Sequence, residues 1–353
     1  MTWFNILPEA LNMKEKMRPF FKKQLPIAPT EYDTLSQVSG MKLLRFKTTT
    51  TSTAPAQQLQ TPLFIIPSMI NRYYVLDLLP GKSFIEFLQN QGVPIYLLDW
   101  GVPYDEDNWL TLDQLLTQRL DYFMDLIATD SKSEKVNLFG HCLGGTLTTM
   151  YTLRFPERVN TLLLLTAPID FDHGGKLGLW VRQNQFHPET ITKAYGHMPW
   201  WVLQSSFQML KPMLPMHKLE KFFKELNNPE FMKNFWALEI WSQDNVSFPG
   251  RCFITLIDEL YRKNSLIKGE LCIAGQTLSL DHLNCPTLNI AASDDHIVLH
   301  DSTMHAHHLN SNITFETIIS QGGHIGSILG SKAQKTVWPE VLRWLSRWDM
   351  GKH

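Results

Sequence analysis

An α/β architecture is predicted: a mostly parallel sheet with flanking helices and an inserted, largely helical cap. Three observations predict it. Short apolar runs alternate with amphipathic helical runs over residues 41–169, and the rhythm returns over 281–353. Between them, residues 170–280 lose the alternation and carry Trp180, Trp200, Trp201, Trp236 and Trp241 with many Phe and Met. A glycine-flanked cysteine, Gly140-His141-Cys142-Leu143-Gly144-Gly145, separates an apolar run from a helical one.

Composition bounds the function classes. The chain has 353 residues, 44% of them hydrophobic and 19% charged, enough for one large domain with an insertion. A formal charge of −2 gives no sign of nucleic acid or an anionic membrane as partner. Cys142, Cys252, Cys272 and Cys285 have neither metal-ligand spacing nor the density of a disulfide framework, which fits a reducing cytoplasm. Glu9, Lys14 and Glu15 interrupt any signal-peptide pattern, and the longest apolar run, around Leu162 to Leu165, is too short to span a bilayer.

Residues 1–40 hold one helix-like segment, about Pro8 to Lys23, with basic residues on one side. Met41 to Lys47 reads as a strand, and Thr48 to Gln60 as an exposed loop or hairpin. Pro62 to Ile66 is a compact apolar run, hence a buried strand, leading into a loop at Pro67 to Tyr74. Leu78 to Gln91 is read as helix and Pro94 to Trp100 as strand. Leu112, Leu115, Leu116, Leu120, Phe123 and Leu126 recur at helical spacing over Leu112 to Ala128. Val136 to Phe139 precedes the cysteine as a strand, and Val159 to Thr166 is the next one. After the aromatic-rich insertion, Pro286 to Ala292 and Ile313 to Ser320 are strands, and Val337 to Trp348 is a closing amphipathic helix. For any single aromatic of the insertion, packing in its own core is the simpler reading. As a group they suggest a surface for an apolar chain or a partner.

Strand, G-x-C-x-G and helix in that order is the nucleophile elbow of the α/β-hydrolase fold, with Cys in place of Ser. The turn is sharp, so small residues are needed on either side; Gly140 and Gly144 supply them, and Gly145 lets helix and strand lie close. Cys142 then sits at a helix N-terminus, where the macrodipole favours a thiolate. The pentapeptide alone fits an ordinary glycine-rich turn with a buried cysteine equally well; the flanking strand and helix favour the elbow. In this fold the triad runs nucleophile, acid, histidine, the last two after late strands. Cys142, Asp295 and His324 fit that order, with Asp294 barely separable from Asp295. His324 would take the thiol proton and the acid would orient it. The backbone N–H of Leu143 and one near Ile70 would form the oxyanion hole. His141 is expected to point away from the site. His296, His300, His305, His307 and His308 read as a solvated helix end, not a metal site, and Cys252, Cys272 and Cys285 lack glycine elbows and read as structural.

The residues at this point resemble a known family. Gly140 to Gly145 looks like the G-x-C-x-G-G box of polyhydroxyalkanoate synthases. Asn71-Arg72-Tyr73-Tyr74-Val75-Leu76-Asp77-Leu78 resembles that family's motif after the strand feeding the oxyanion loop, and Tyr96-Leu97-Leu98-Asp99-Trp100-Gly101 its strand ending in Asp-Trp-Gly. Trp241-Ser242-Gln243-Asp244, Phe248-Pro249-Gly250, Leu260-Tyr261 and Asn264-Ser265-Leu266 are similar to its cap signature. Asp295-His296-Ile297-Val298 resembles its acid motif and Gly322-Gly323-His324-Ile325-Gly326 its histidine motif, so the likeness runs from about Leu63 to Gly326. Leu299 departs from the proline usual after the acid motif.

The resemblance implies catalytic Cys142, Asp295 and His324, which also favours Asp295 over Asp294. It implies polymerisation of (R)-3-hydroxyacyl-CoA, with 3-hydroxybutyryl-CoA the expected monomer, through a covalent acyl-Cys with release of CoA. No cofactor or metal is implied. Single-subunit synthases carry a long N-terminal domain that this chain lacks, so the resemblance is to the catalytic subunit of the two-subunit kind (class III or IV). That implies a companion subunit besides the growing polyester chain, a homo-oligomer being open, in the cytoplasm at the polyester granule surface. The rival within the fold is a cysteine-nucleophile hydrolase, such as an intracellular polyester depolymerase or a dienelactone-hydrolase-like enzyme, with water as acceptor. A rival of another class is a granule-coating scaffold with a vestigial triad. The signature around Trp241 to Leu266 favours the synthase.

Overall fold

The computed structural model describes residues 15–47, 59–212, 214–304 and 313–350. The main sheet has eight strands: β1 Tyr32–Val38, β2 Met41–Phe46, β3 Leu63–Ile66, β4 Ile95–Asp99, β5 Val136–His141, β6 Val159–Leu165, β7 Thr287–Ala292 and β8 Phe315–Ser320. Their order is β1-β2-β4-β3-β5-β6-β7-β8, antiparallel at the β1-β2-β4 edge and parallel from β4 to β8. This is the α/β-hydrolase fold with a mostly parallel sheet. All residues of β3, β5 and β7 are buried. Strands covered on both faces read as mostly apolar runs, which is why these three are plain in the sequence, although β5 and β7 also bury Asn137 and Asn289.

Helices cover both faces. Phe84–Asn90 (α1) and Ser331–Arg347 (α10) pack on one side, where Phe84 tilts against Phe139 and Trp338. Asp121–Ser131 (α2) and Leu143–Arg154 (α3) lie with the larger core cluster on the other. Leu112–Gln114 and the π-helical turns Leu115–Leu120 run straight into α2, so the expected helix is there with one widened segment.

Three readings shift. β1 falls in the N-terminal stretch expected to hold only a helix; it is an edge strand with no buried residue, so its apolar signal is weak. The expected helix Leu78 to Gln91 is shorter, because Pro80-Gly81 punctuates it and Ser83 caps α1 by accepting the Glu86 N–H at 2.8 Å. Helix α10 starts six residues before Val337, over a polar stretch, and holds Pro339 inside. The N-terminal segment is helical over 15–24 where described. Thr48 to Gln58 of the expected loop and His305, His307 and His308 of the histidine group lie outside the described residues.

Between β6 and β7 the chain is mainly helical: Gly175–Val181 (α4), Pro188–Tyr195 (α5), Trp200–Leu210 (α6), Leu214–Lys224 (α7), Pro229–Ser242 (α8) and Gly250–Leu256 (α9), the last continuing as π-helical turns to Arg262. Two short antiparallel pairs interrupt it, His197–Met198 with Phe248–Pro249 and Leu271–Ile273 with Gln276–Leu278. Its tryptophans divide. Trp236 is fully buried in a small core with Phe222 and Leu219, against which Phe21 of the N-terminal helix stacks at 5.0 Å. Trp241 packs on the main core, while Trp200 and Trp201 are exposed. Among the described residues, no helix is long and apolar enough to cross a membrane.

Candidate active site

The site is assembled at the carboxyl ends of β5, β7 and β8, the edge where ligands bind in open α/β sheets. β5 ends at His141, and the chain turns at once into α3. Cys142, between them, has φ 54° and ψ −127°, a conformation that a side chain rarely adopts and that marks a strained elbow. Three glycines make the turn possible. A Cβ on Gly140 would strike the Gly145 backbone, one on Gly144 the Ile66 carbonyl oxygen, and one on Gly145 the Ala167 side chain. The Cys142 N–H donates to the Leu165 carbonyl at 2.9 Å, which fixes the elbow to β6.

Asp295 and His324 come from adjacent strands. Beyond β7 and β8 the ladder continues, with Ser293 N–H donating to Ser320 O and Asp294 N–H to Gly322 O, both at 2.9 Å. Asp294 is thereby spent in the ladder, and its exposed side chain accepts from the Ser293 hydroxyl at 2.9 Å. Asp295 turns inward. Its Oδ1 accepts the N–H groups of Ile297 and Val298 at 2.8 and 3.0 Å, and its Oδ2 lies 2.6 Å from His324 Nδ1. Sequence left the two acids barely separable; the structure brings Asp295, not Asp294, to the histidine. Both side chains are almost wholly buried, and Cys142 lies close enough to His324 to act on its charge. Cys142, His324 and Asp295 thus form one continuous chain of contacts.

The electrostatics suit proton transfer. Burial opposes a charge on His324, but the Cys142 sulfur and the Asp295 carboxylate outweigh it and push its pKa up to about 10. Burial likewise opposes ionised Asp295, yet the His324 contact and the two backbone N–H groups hold its pKa below the ordinary value. The other buried thiols contrast: burial pushes Cys252 and Cys285 up to about 12, so they stay protonated, whereas Cys272 is exposed on the short hairpin.

Leu143 opens α3, and Leu143, Ile70 and Cys142 line one cavity. The Ile70 N–H donates to Ser68 Oγ at 3.3 Å. The loop carrying Ile70 is tied to the helical insertion. The Val246 N–H donates to Ile70 O at 3.1 Å, the Trp241 indole N–H to Arg72 O at 2.8 Å, and the Tyr74 hydroxyl to Asp244 Oδ2 at 2.8 Å. Asn71 Nδ2 donates to Asn245 Oδ1. Residues of the Trp241-to-Asp244 motif therefore hold the loop on which Ile70 sits.

Cys142 opens into a cavity of about 200 Å³ between the sheet edge and the insertion. Its walls are overwhelmingly apolar: Pro168, Phe171, Leu177, Trp180, Phe186, Val202, Phe207, Phe253, Leu256 and Ile297 among them. Leu299, at the departure from the usual proline, lines it too and packs on Gly175. Sequence reasoning missed two neighbours of the triad. Tyr261, kept protonated by burial and within electrostatic reach of Cys142, was seen only as part of the cap signature. His141 does not point away from the site: its ring centre lies 5.6 Å from that of His324. No sequence signal distinguishes a residue beside an elbow that faces the histidine from one that does not. Among the described residues, no group of His, Cys, Asp or Glu is placed to hold a metal ion.

The chain is similar to known proteins in two ways. A family model described as alpha/beta hydrolase fold matches residues 61–331, and one described as the poly-beta-hydroxybutyrate polymerase (PhaC) N-terminus matches residues 10–88, so the likeness begins well before Leu63. The poly(3-hydroxyalkanoate) polymerase subunit PhaC of Allochromatium vinosum is 32% identical over 307 residues, 86% of each chain. Its namesake in Thiocystis violacea is 32% identical over 289 residues, 81% of each. That of Haloferax mediterranei is 30% identical over 92% of this chain, which spans 65% of the haloarchaeal protein's length. Among solved structures, a lipase from Sulfolobus solfataricus superposes with a TM-score of 0.55 at 16% identity, covering 90% of this chain and 99% of that one. A hydrolase from Bacillus subtilis does so at 0.50 and 17%, covering 94% and 96%. At such identity these two carry the fold alone.

Proposed function

The chain belongs to the poly(3-hydroxyalkanoate) polymerase PhaC family, and from that premise we propose that it polymerises (R)-3-hydroxyacyl-CoA through an acyl-Cys142 intermediate. The observation that carries the reading is the buried Cys142–His324–Asp295 contact chain opening into an apolar cavity. His324 takes the Cys142 proton, and the thiolate attacks the thioester carbonyl. The resulting oxyanion is met by the N–H group of Leu143, and by that of Ile70 once it leaves the Ser68 hydroxyl, to which it donates at 3.3 Å. As it collapses, the carbon–sulfur bond to CoA breaks and the CoA thiolate takes the proton from His324. One thioester replaces another, so the exchange is close to isoenergetic. A hydroxyl at the growing chain end then gives its proton to His324 and attacks acyl-Cys142. An ester bond forms and the Cys142 thiolate is released. Asp295 keeps Nδ1 of His324 hydrogen-bonded throughout, so Nε2 faces the sulfur.

In this reading residues 170–280 form a cap whose apolar lining holds the acyl chain and keeps water from the thioester. The same region exposes Leu179, Tyr195, Trp200, Trp201 and Met209, with Tyr195 and Trp201 in ring contact, which suits the surface of a polyester granule. The word subunit in the relatives' names supports a companion chain for full activity. Cys142→Ala tests the reaction. It should abolish CoA release from 3-hydroxybutyryl-CoA while leaving the fold intact. Turnover within about tenfold of the parent, roughly 1.4 kcal/mol in barrier, would overturn the nucleophile.

A further inference from the structure

His141 is buried to 2% exposure at the end of β5, and neither ring nitrogen has a hydrogen-bond partner. An unpartnered buried polar group costs about 1–3 kcal/mol, which a leucine or phenylalanine of similar size would not. Its ring centre lies 5.6 Å from that of the His324 ring, the two planes tilted by 34°, so the rings are direct neighbours. Among the described residues, His324 has Asp295 on Nδ1, Cys142 within electrostatic reach and the His141 ring beside its own, with His296 near enough to feel its charge. His141 feels His324 and Asp295.

We propose that His141 is a positioning residue whose neutral ring forms the floor beneath His324 and favours its imidazolium over its neutral form. An electron-rich aromatic face attracts a cation resting on it, and more strongly where water is excluded. The floor must itself stay uncharged, because a second cation at this distance would repel the first. Burial, reinforced by the His324 charge, pushes the pKa of His141 down to about 3, so it is neutral wherever the site works. Its consequence is that the Cys142 thiolate and His324 imidazolium persist as a pair to lower pH than Asp295 alone would allow.

The inference rests on Cys142 and His324 being the reacting pair. Alkylation of Cys142 by iodoacetamide, followed across pH in the full chain without substrate, separates its failure from the failure of that reading. His141→Leu fills the space but removes the ring. The alkylation rate near pH 6.5 should fall three- to tenfold, and its midpoint should move to higher pH, while His141→Phe stays near the parent. A leucine variant with an unshifted profile, or equal slowing at every pH, would overturn the inference. Should His141→Leu not fold, the parent decides by NMR of its labelled imidazoles: His141 should remain neutral from pH 5 to 9, and a titration of His141 within that range would overturn the inference.

Discussion

Asp294 and Asp295 are neighbours in the chain, yet one backbone step separates their surroundings. The Asp294 N–H is committed to the Gly322 carbonyl and its carboxylate faces solvent, whereas Asp295 is buried with an oxygen 2.6 Å from His324. Removing the charge of Asp295 leaves His324 without its main orienting partner, and breaking a buried charged pair costs about 3–5 kcal/mol. Asp295→Asn should therefore slow single-turnover acylation about a hundredfold or more, with Asp294→Asn within about threefold of the parent. If Asp294→Asn proves the more damaging, the assignment of the acid is wrong. At this scale the sequence was legible where a residue type is tied to a local pattern, as Cys142 is to its glycines. It was not legible where orientation decides. The residues alone left two acids open because the choice depends on ladder register, and only the likeness to the family's acid motif favoured Asp295; the place of His141 depends on which way the last residue of β5 faces.

The elbow joins β5 to α3, and its tightness follows from backbone approaching backbone. Gly144 lies against the Ile66 carbonyl at the end of β3, so a methyl group there meets main chain that cannot move without disturbing the central sheet. Overpacking of a close-packed core costs about 1–3 kcal/mol, occasionally more. Gly144→Ala should lower stability by about 3 kcal/mol, read as a fall in the denaturation midpoint with unchanged denaturant dependence. A stability equal to that of the parent would contradict the close approach. The buried strands were plain in the sequence because both their faces are covered and most of their residues are apolar, with Asn137 and Asn289 buried among them. β1 was hidden because an edge strand with half-exposed faces has no such signature. The helix expected from Leu78 is too long because apolar spacing runs through Pro80-Gly81, whereas the Ser83 cap sets its true start.

At the scale of the whole molecule, the insertion between β6 and β7 bears on the site in two ways. Its apolar residues roof the cavity above Cys142, and its Trp241-to-Val246 stretch grips the loop that carries Ile70. The sequence showed the insertion as a break in rhythm rich in aromatics. It could not show which tryptophans would fill a separate core, line the cavity or face solvent, because that depends on contacts distant in the chain. The central claim is that this dry enclosure passes the acyl group to a chain-end hydroxyl and not to water. A cysteine hydrolase would form the same acyl-Cys142 and release the same CoA, so thiol release cannot distinguish them. The direct measurement gives the purified chain (R)-3-hydroxybutyryl-CoA, with and without the proposed companion subunit, and resolves the products by size-exclusion and acid chromatography. The account predicts high-mass, solvent-extractable polyester with little free 3-hydroxybutyrate, and more of it with the companion present. Free 3-hydroxybutyrate matching most of the CoA released, even with the companion, would contradict it.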